Sequence, residues 1–101
     1  MAAVARKNGS DSILTGHAGS NVTYTDEGSN NVFVNGEGVV RFGDLQQQHE
    51  ITVGLSTANH AFTLSSSSLT VFVNGKGAGR KGDDYNGEII ISGSNDVFFG
   101  D

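Results

Sequence analysis

The chain has no cysteine and no proline. Without cysteine there are no disulfides and no thiolate metal sites, so any cross-link must come from other donors. Cations are scarce as well: six Lys and Arg stand against eleven Asp and Glu, for a formal net charge of -5. No basic stripe exists to displace counterions, which argues against a partner held by its phosphate backbone, so no nucleic acid is expected. No apolar run is long enough to cross a bilayer as a helix. The first ten residues, MAAVARKNGS, lack the apolar core of a signal peptide. Nor does any stretch keep a 3.6-residue apolar period over ten or more positions, so a long amphipathic helix is not expected.

What is abundant is glycine, fifteen residues of it, with no period of three, so collagen is excluded. The glycines flank short Val/Phe runs and read as tight turns between strands. A chain of 101 residues suits a single domain, here 1–101, with a small core. Such a core usually needs a supplement. With disulfides excluded, that leaves a metal or contact with another chain.

One unit recurs. Residues 28–44 read GSNNVFVNGEGVVRFGD, residues 67–83 read SSLTVFVNGKGAGRKGD, and residues 93–100 read GSNDVFFG. The full copies pair a Val-Phe-Val strand with Asn35-Gly36 or Asn74-Gly75, the strongest short-range hairpin signal, because a type I′ turn needs positive φ at both residues. Val39-Val40-Arg41-Phe42 is expected as the first return strand. The last copy has the strand and no return. Residues 5–11 loosely echo the Arg-x-Gly-Asp exit of the full copies. Val22-Thr23-Tyr24-Thr25, Phe62-Thr63-Leu64 and Ile89-Ile90-Ile91 are further strand candidates. Residues 45–51 read as a polar connection with room for a helical turn, and 56–59 as a turn closed by His60. The expected fold is all-β, built from short strands and hairpins. Bulky residues on both faces of Val-Phe-Val require cover on both, either inside a compact multi-sheet wedge or from a partner chain.

The three histidines, His17, His49 and His60, all fall in turn-like connections. Each alone reads as a solvated surface residue. Together, in the linking segments of a repeat fold, they are candidates for a Zn²⁺ or Fe²⁺ site, although their spacing matches no local zinc motif. Asp44 and Asp83 occupy the same repeat position. A duplicated position gives two copies of one role, here turn bonding or pairing with Arg41 and Arg80, not an acid and a base. No serine sits in a nucleophile elbow, and neither glycine-rich turn is a phosphate loop.

The run G-S-x-x-V-F-V-N-G-x-x-x-x-R-x-G-D resembles the repeat of the PAAR-repeat family, the spike-tip proteins of contractile phage tails and type VI secretion systems. The resemblance implies a small conical or pyramidal domain with a pseudo-threefold internal repeat (units about 28–44, 67–83 and 93–100). Its base would cap a homotrimeric β-helical spike, one copy per trimer, and Val32, Phe33, Val71, Phe72, Val97 and Phe98 would divide between core and docking face. Its vertex would hold one metal ion, Zn ahead of Fe, on three histidines that map to His17, His49 and His60. The family's fourth ligand is a cysteine that would fall near Asn86. Here Asp84 is the best chemical substitute, with Asn86, Tyr85 or water as alternatives. The proline of the family name is also absent. The implied function is non-enzymatic: a metal-stabilised tip that sharpens a membrane-piercing spike and touches the target membrane transiently. The implied location is the tip of a virion tail baseplate, or the bacterial cytoplasm before secretion. With the chain ending at Asp101, no effector domain is expected. The competing readings are a small metal-dependent hydrolase using the histidines, which would need a cleft for a small-molecule substrate, and a β-repeat adhesin or carbohydrate-binding module, for which only Tyr24 and Tyr85 look free.

Overall fold

Turn chemistry explains most of the local structure. The sequence holds four Asn-Gly pairs, Asn8-Gly9, Asn35-Gly36, Asn74-Gly75 and Asn86-Gly87, and both residues of every pair have positive φ. That is the type I′ conformation, whose twist matches the twist of paired strands. The computed structural model describes residues 2–99. Met1, Asp101 and Gly100, the last residue of the third expected unit, lie outside the described residues.

The described chain is all-β. Its strands are β1 (Ala2–Ala3), β2 (Ser12–Leu14), β3 (Val22–Tyr24), β4 (Phe33–Val34), β5 (Glu37–Gly38) and β6 (His49–Val53). They continue with β7 (Ser56–His60), β8 (Phe72–Val73), β9 (Lys76–Gly77), β10 (Asp84–Tyr85), β11 (Glu88–Ile90) and β12 (Phe98–Phe99). One antiparallel sheet of four strands has the order β10-β11-β2-β3, and the other strands form two-stranded pairs.

The two full repeats form the same hairpin. Phe33 pairs with Gly38 and Val34 with Glu37; Phe72 pairs with Gly77 and Val73 with Lys76. The return strands are therefore Glu37–Gly38 and Lys76–Gly77, not the Val39-Phe42 segment. Two residues of turn leave only position 37 to face Val34, and Val39 and Val40 run on into the core instead. The last repeat does have a return strand. It comes from the other end of the chain: β1 lies against β12, with Ala3 opposite Phe98 and Ala2 opposite Phe99.

Behind the three hairpins, three segments close a ring. The Ala5 N–H donates to Gly79 O at 3.0 Å, Gly79 N–H to Val40 O at 2.7 Å, and Val40 N–H to Ala5 O at 3.0 Å. Isolated bridges Arg6–Val39, Arg41–Ala78 and Val4–Arg80 run round the same ring. Val4, Ala5, Val39, Val40 and Ala78 are all buried, and they anchor two apolar clusters. Each segment then turns on an Arg–Asp pair. Arg6, Arg41 and Arg80 donate from Nε and Nη2 to Asp11, Asp44 and Asp83. Each aspartate also accepts the backbone N–H of its arginine. The sequence-based pairing of Asp44 and Asp83 with Arg41 and Arg80 is what the structure has.

Two linking segments differ from expectation. Residues 45–51 form no helical turn; β6 begins at His49. Residues 56–59 are not a turn but most of β7, because the turn lies at Gly54-Leu55, where Gly54 has φ +61. Glycine at the first turn position is the type II′ arrangement. Tyr85 is not free for a ligand either: it is fully buried in the core beside Ile13, Val40, Leu64 and Ile90, while Tyr24 is exposed.

Candidate metal centre

The three histidines reach one point from three elements. His17 lies in the loop between β2 and β3. That loop is held closed by Thr15, whose Oγ1 donates to Ser20 O at 2.6 Å and whose N–H donates to Asn21 O at 2.9 Å. His49 opens β6 and His60 ends β7, so they face each other as the last cross-strand pair of the hairpin. Only His17 is therefore in a connection; the other two are strand residues.

The fourth member is Glu88, the first residue of β11. The Asn86-Gly87 turn sets Glu88 opposite Tyr85. Side chains alternate across a strand. Tyr85, Glu88 and Ile90 are buried while Ile89 is exposed, and Asp84 pairs with Ile89. Asp84 thus belongs to the other face of the sheet. Its carboxylate accepts from Ser66 Oγ at 2.7 Å and from Gly87 N–H at 2.8 Å, outside the cluster. Asn86 sits in the turn at φ +53, and Tyr85 is in the core. The carboxylate at the histidines is Glu88, not Asp84, and neither Asn86 nor Tyr85 joins the cluster. The usable signal was the turn: a carboxylate just after Asn-Gly, at the head of Ile89-Ile90-Ile91, shares a face with the buried Ile90.

The geometry is that of a closed donor set. The Nε2 atoms of His17 and His49 are 3.3 Å apart, those of His17 and His60 3.1 Å, and those of His49 and His60 2.8 Å. Glu88 Oε2 lies 2.8 Å from His17 Nε2, 3.3 Å from His49 Nε2 and 3.1 Å from His60 Nε2. These are the six edges of a near-regular tetrahedron. Ligands at about 2.0–2.1 Å from a tetrahedral zinc have mutual separations of about 3.3–3.4 Å.

The protons point to a cation as well. Nδ1 of His17 lies 3.0 Å from its neighbour's carbonyl, Ala18 O, and Nδ1 of His49 lies 3.0 Å from Gln47 O. A carbonyl can only accept, so each Nδ1 carries the proton and each Nε2 of a neutral ring turns a lone pair inward. The His17 and His49 lone pairs, 3.3 Å apart, do not bond one another. The carboxylate adds negative charge to the same point, and Glu88 Oε1 is buried with no hydrogen-bond partner. It sits 3.0 Å from His49 Nε2 without the alignment of a hydrogen bond. The residues fit a divalent cation, and the three-imidazole, one-carboxylate set suits Zn²⁺ and Fe²⁺ alike.

Half of the site is buried: the side chains of His49 and Glu88 are 3% and 4% exposed, and those of His17 and His60 19% each. Phe62 covers His60 with ring centroids 4.5 Å apart, and ties the site to the main apolar cluster. Depressions of about 820, 600 and 600 Å³ mark the surface, and none of the three is lined by a member of the cluster. No family model matches the chain, and no curated protein matches it.

Proposed function

We propose that the chain is a non-enzymatic, metal-stabilised tip that caps a trimeric β-helical spike of a contractile injection machine, as members of the PAAR-repeat family do. The observation that carries the reading is a threefold recurrence of exposed phenylalanine. Phe33, Phe72 and Phe98 are 56%, 61% and 46% exposed, and they pair with Gly38, Gly77 and Ala3 at one and the same hairpin position. Their neighbours Val71 and Val97 pack on a core cluster, while Val32 is exposed. Three equivalent aromatics suit a partner with three equivalent subunits, and aromatic anchors dominate the cores of such interfaces.

The ring of three backbone hydrogen bonds supports a pseudo-threefold repeat whose third unit is divided between the two chain ends. The extents, 43 × 24 × 21 Å, suit a narrow tip. The tetrahedral cluster suits a structural rather than a catalytic metal, since structural sites are closed and catalytic ones keep an open position. On this reading the chain acts at the tip of a phage tail baseplate or, before secretion, in the bacterial cytoplasm. It meets the target membrane only during puncture.

The test is binding to a homotrimeric β-helical spike protein, read by light scattering for one chain per trimer. Phe33→Asp with Phe72→Asp, in protein whose fold and metal content are unchanged, should abolish binding. Undiminished binding of that variant would remove the docking face.

A further inference from the structure

We infer that the β6–β7 hairpin, with the 17–20 loop, is a separate folding unit that docks only when the metal is bound. In the metal-free chain it detaches while the ring of the other repeats stays folded. The inference rests on the metal reading above.

The hairpin brings almost nothing apolar to the body. No residue of 50–59 belongs to either core cluster. Ile51 and Thr52 are half-buried and the rest are exposed, with Val53 at 71% and Leu55 at 107% at the turn. A two-stranded hairpin without a covered face is marginal in water. Its strands have extensive contacts only with each other. Apart from the rings of His49 and His60, its hydrogen bonds to the rest of the described chain run to one loop, where Gly19 also bridges Ile51: Thr52 N–H to Ala18 O at 2.9 Å, Ser20 N–H to Glu50 O at 3.0 Å, and Glu50 N–H to Ser20 Oγ at 3.3 Å. That loop is itself exposed or half-buried, and it carries His17.

The four donors therefore join the hairpin and its loop, through His49, His60 and His17, to the central sheet through Glu88. With a cation they are cross-linked. Without one, the His17 and His49 lone pairs, 3.3 Å apart, and the Glu88 carboxylate share no ligand that holds hairpin, loop and sheet together. The ring has no such dependence. Its bonds are backbone to backbone among Ala5, Val40 and Gly79, and all three residues are buried. Proteins open in such units where buried apolar contact is sparse.

Amide hydrogen exchange on the full chain tests this, with metal content measured on each sample. The samples are metal-loaded protein, the same protein after chelation, and Glu88→Gln supplied with the same metal. On chelation, amides of 50–59 should lose protection by about tenfold or more, while those of Val40 and Gly79 hold within about threefold. Glu88→Gln should behave as the chelated protein does. Equal hairpin protection with and without metal overturns the inference and leaves the metal site standing. Joint loss of hairpin and ring protection also overturns it, since the chain would then be one cooperative unit. A native chain that never takes up metal overturns the metal reading and the inference together.

Discussion

At the scale of single residues, two neighbours on one hairpin divide the work of the interior. Glu88 turns toward the histidines and Tyr85 into the core, across the same Asn-Gly turn. The Tyr85 hydroxyl is buried with no hydrogen-bond partner. Burial, followed by the charges of Asp44 and Asp11, pushes the phenol above its ordinary value of 10.0. Its neutral form is thus favoured in the folded chain. That contribution is complete below the unfolded value and is lost as pH rises above it. Tyr85→Phe removes an unpaired polar atom and keeps the ring, so it should raise stability by about 1 kcal/mol near neutral pH. It should also reduce the fall in stability on going to about pH 11. Urea unfolding of both proteins at the two pH values measures it. A loss of stability near neutral pH would show that the hydroxyl has a partner after all.

The element that repeats is the two-residue hairpin, and its packing is limited by one contact. A Cβ on Gly38 would fall on the carbonyl oxygen of Ser29, which is backbone and cannot swing aside. The corresponding places of the other hairpins also keep a glycine on one side: Gly77 against Ser67, and Gly93 against Ala3. Gly38→Ala should therefore cost about 2–3 kcal/mol, the scale of a clash in a well-packed core. Gly43→Ala is the control. Gly43 has φ +88 with nothing near its Cβ position, so only the left-handed backbone is strained, at about 1 kcal/mol. Equal losses for the two, measured by denaturant midpoint, would mean that backbone conformation and not close approach sets the requirement for glycine.

For the whole molecule, the notable feature is where the chain breaks the ring. β1 completes the hairpin of β12 as β5 completes that of β4 and β9 that of β8. If the three hairpins are interchangeable, the break can be moved. A permutant that joins Phe99 to Ala2 through Asn-Gly and opens the chain between Gly36 and Glu37 should fold, bind the same amount of metal and melt within a few degrees of the native chain. Failure of that permutant to fold, with a matched permutant opened at Gly54 folding normally, would show that the hairpins are not equivalent.

Much of the local structure was legible in the sequence, because it depends on few residues at a time. Each Asn-Gly pair reaches positive φ by its own chemistry, whatever surrounds it. The Arg–Asp exits of the full repeats and the two Val-Phe-Val hairpins follow from contacts within a unit, and repetition made them visible. The histidines were grouped because all three were read as lying in linking segments, which holds for His17, whereas His49 and His60 are strand residues. What only the tertiary structure decided are the long-range choices. The register of β10 against β11 gave the fourth position to Glu88 over Asp84, since a one-residue shift exchanges the faces of a strand. Pairing of β1 with β12 supplied the missing return strand from a segment whose sequence, Ala2-Ala3, carries no hairpin signal. Residues 56–60, polar and almost entirely exposed, form a strand because β6 lies beside them, not through any preference of their own. Turns are set by neighbours along the chain, whereas ligands, faces and partners are set by segments that sequence distance does not bring together.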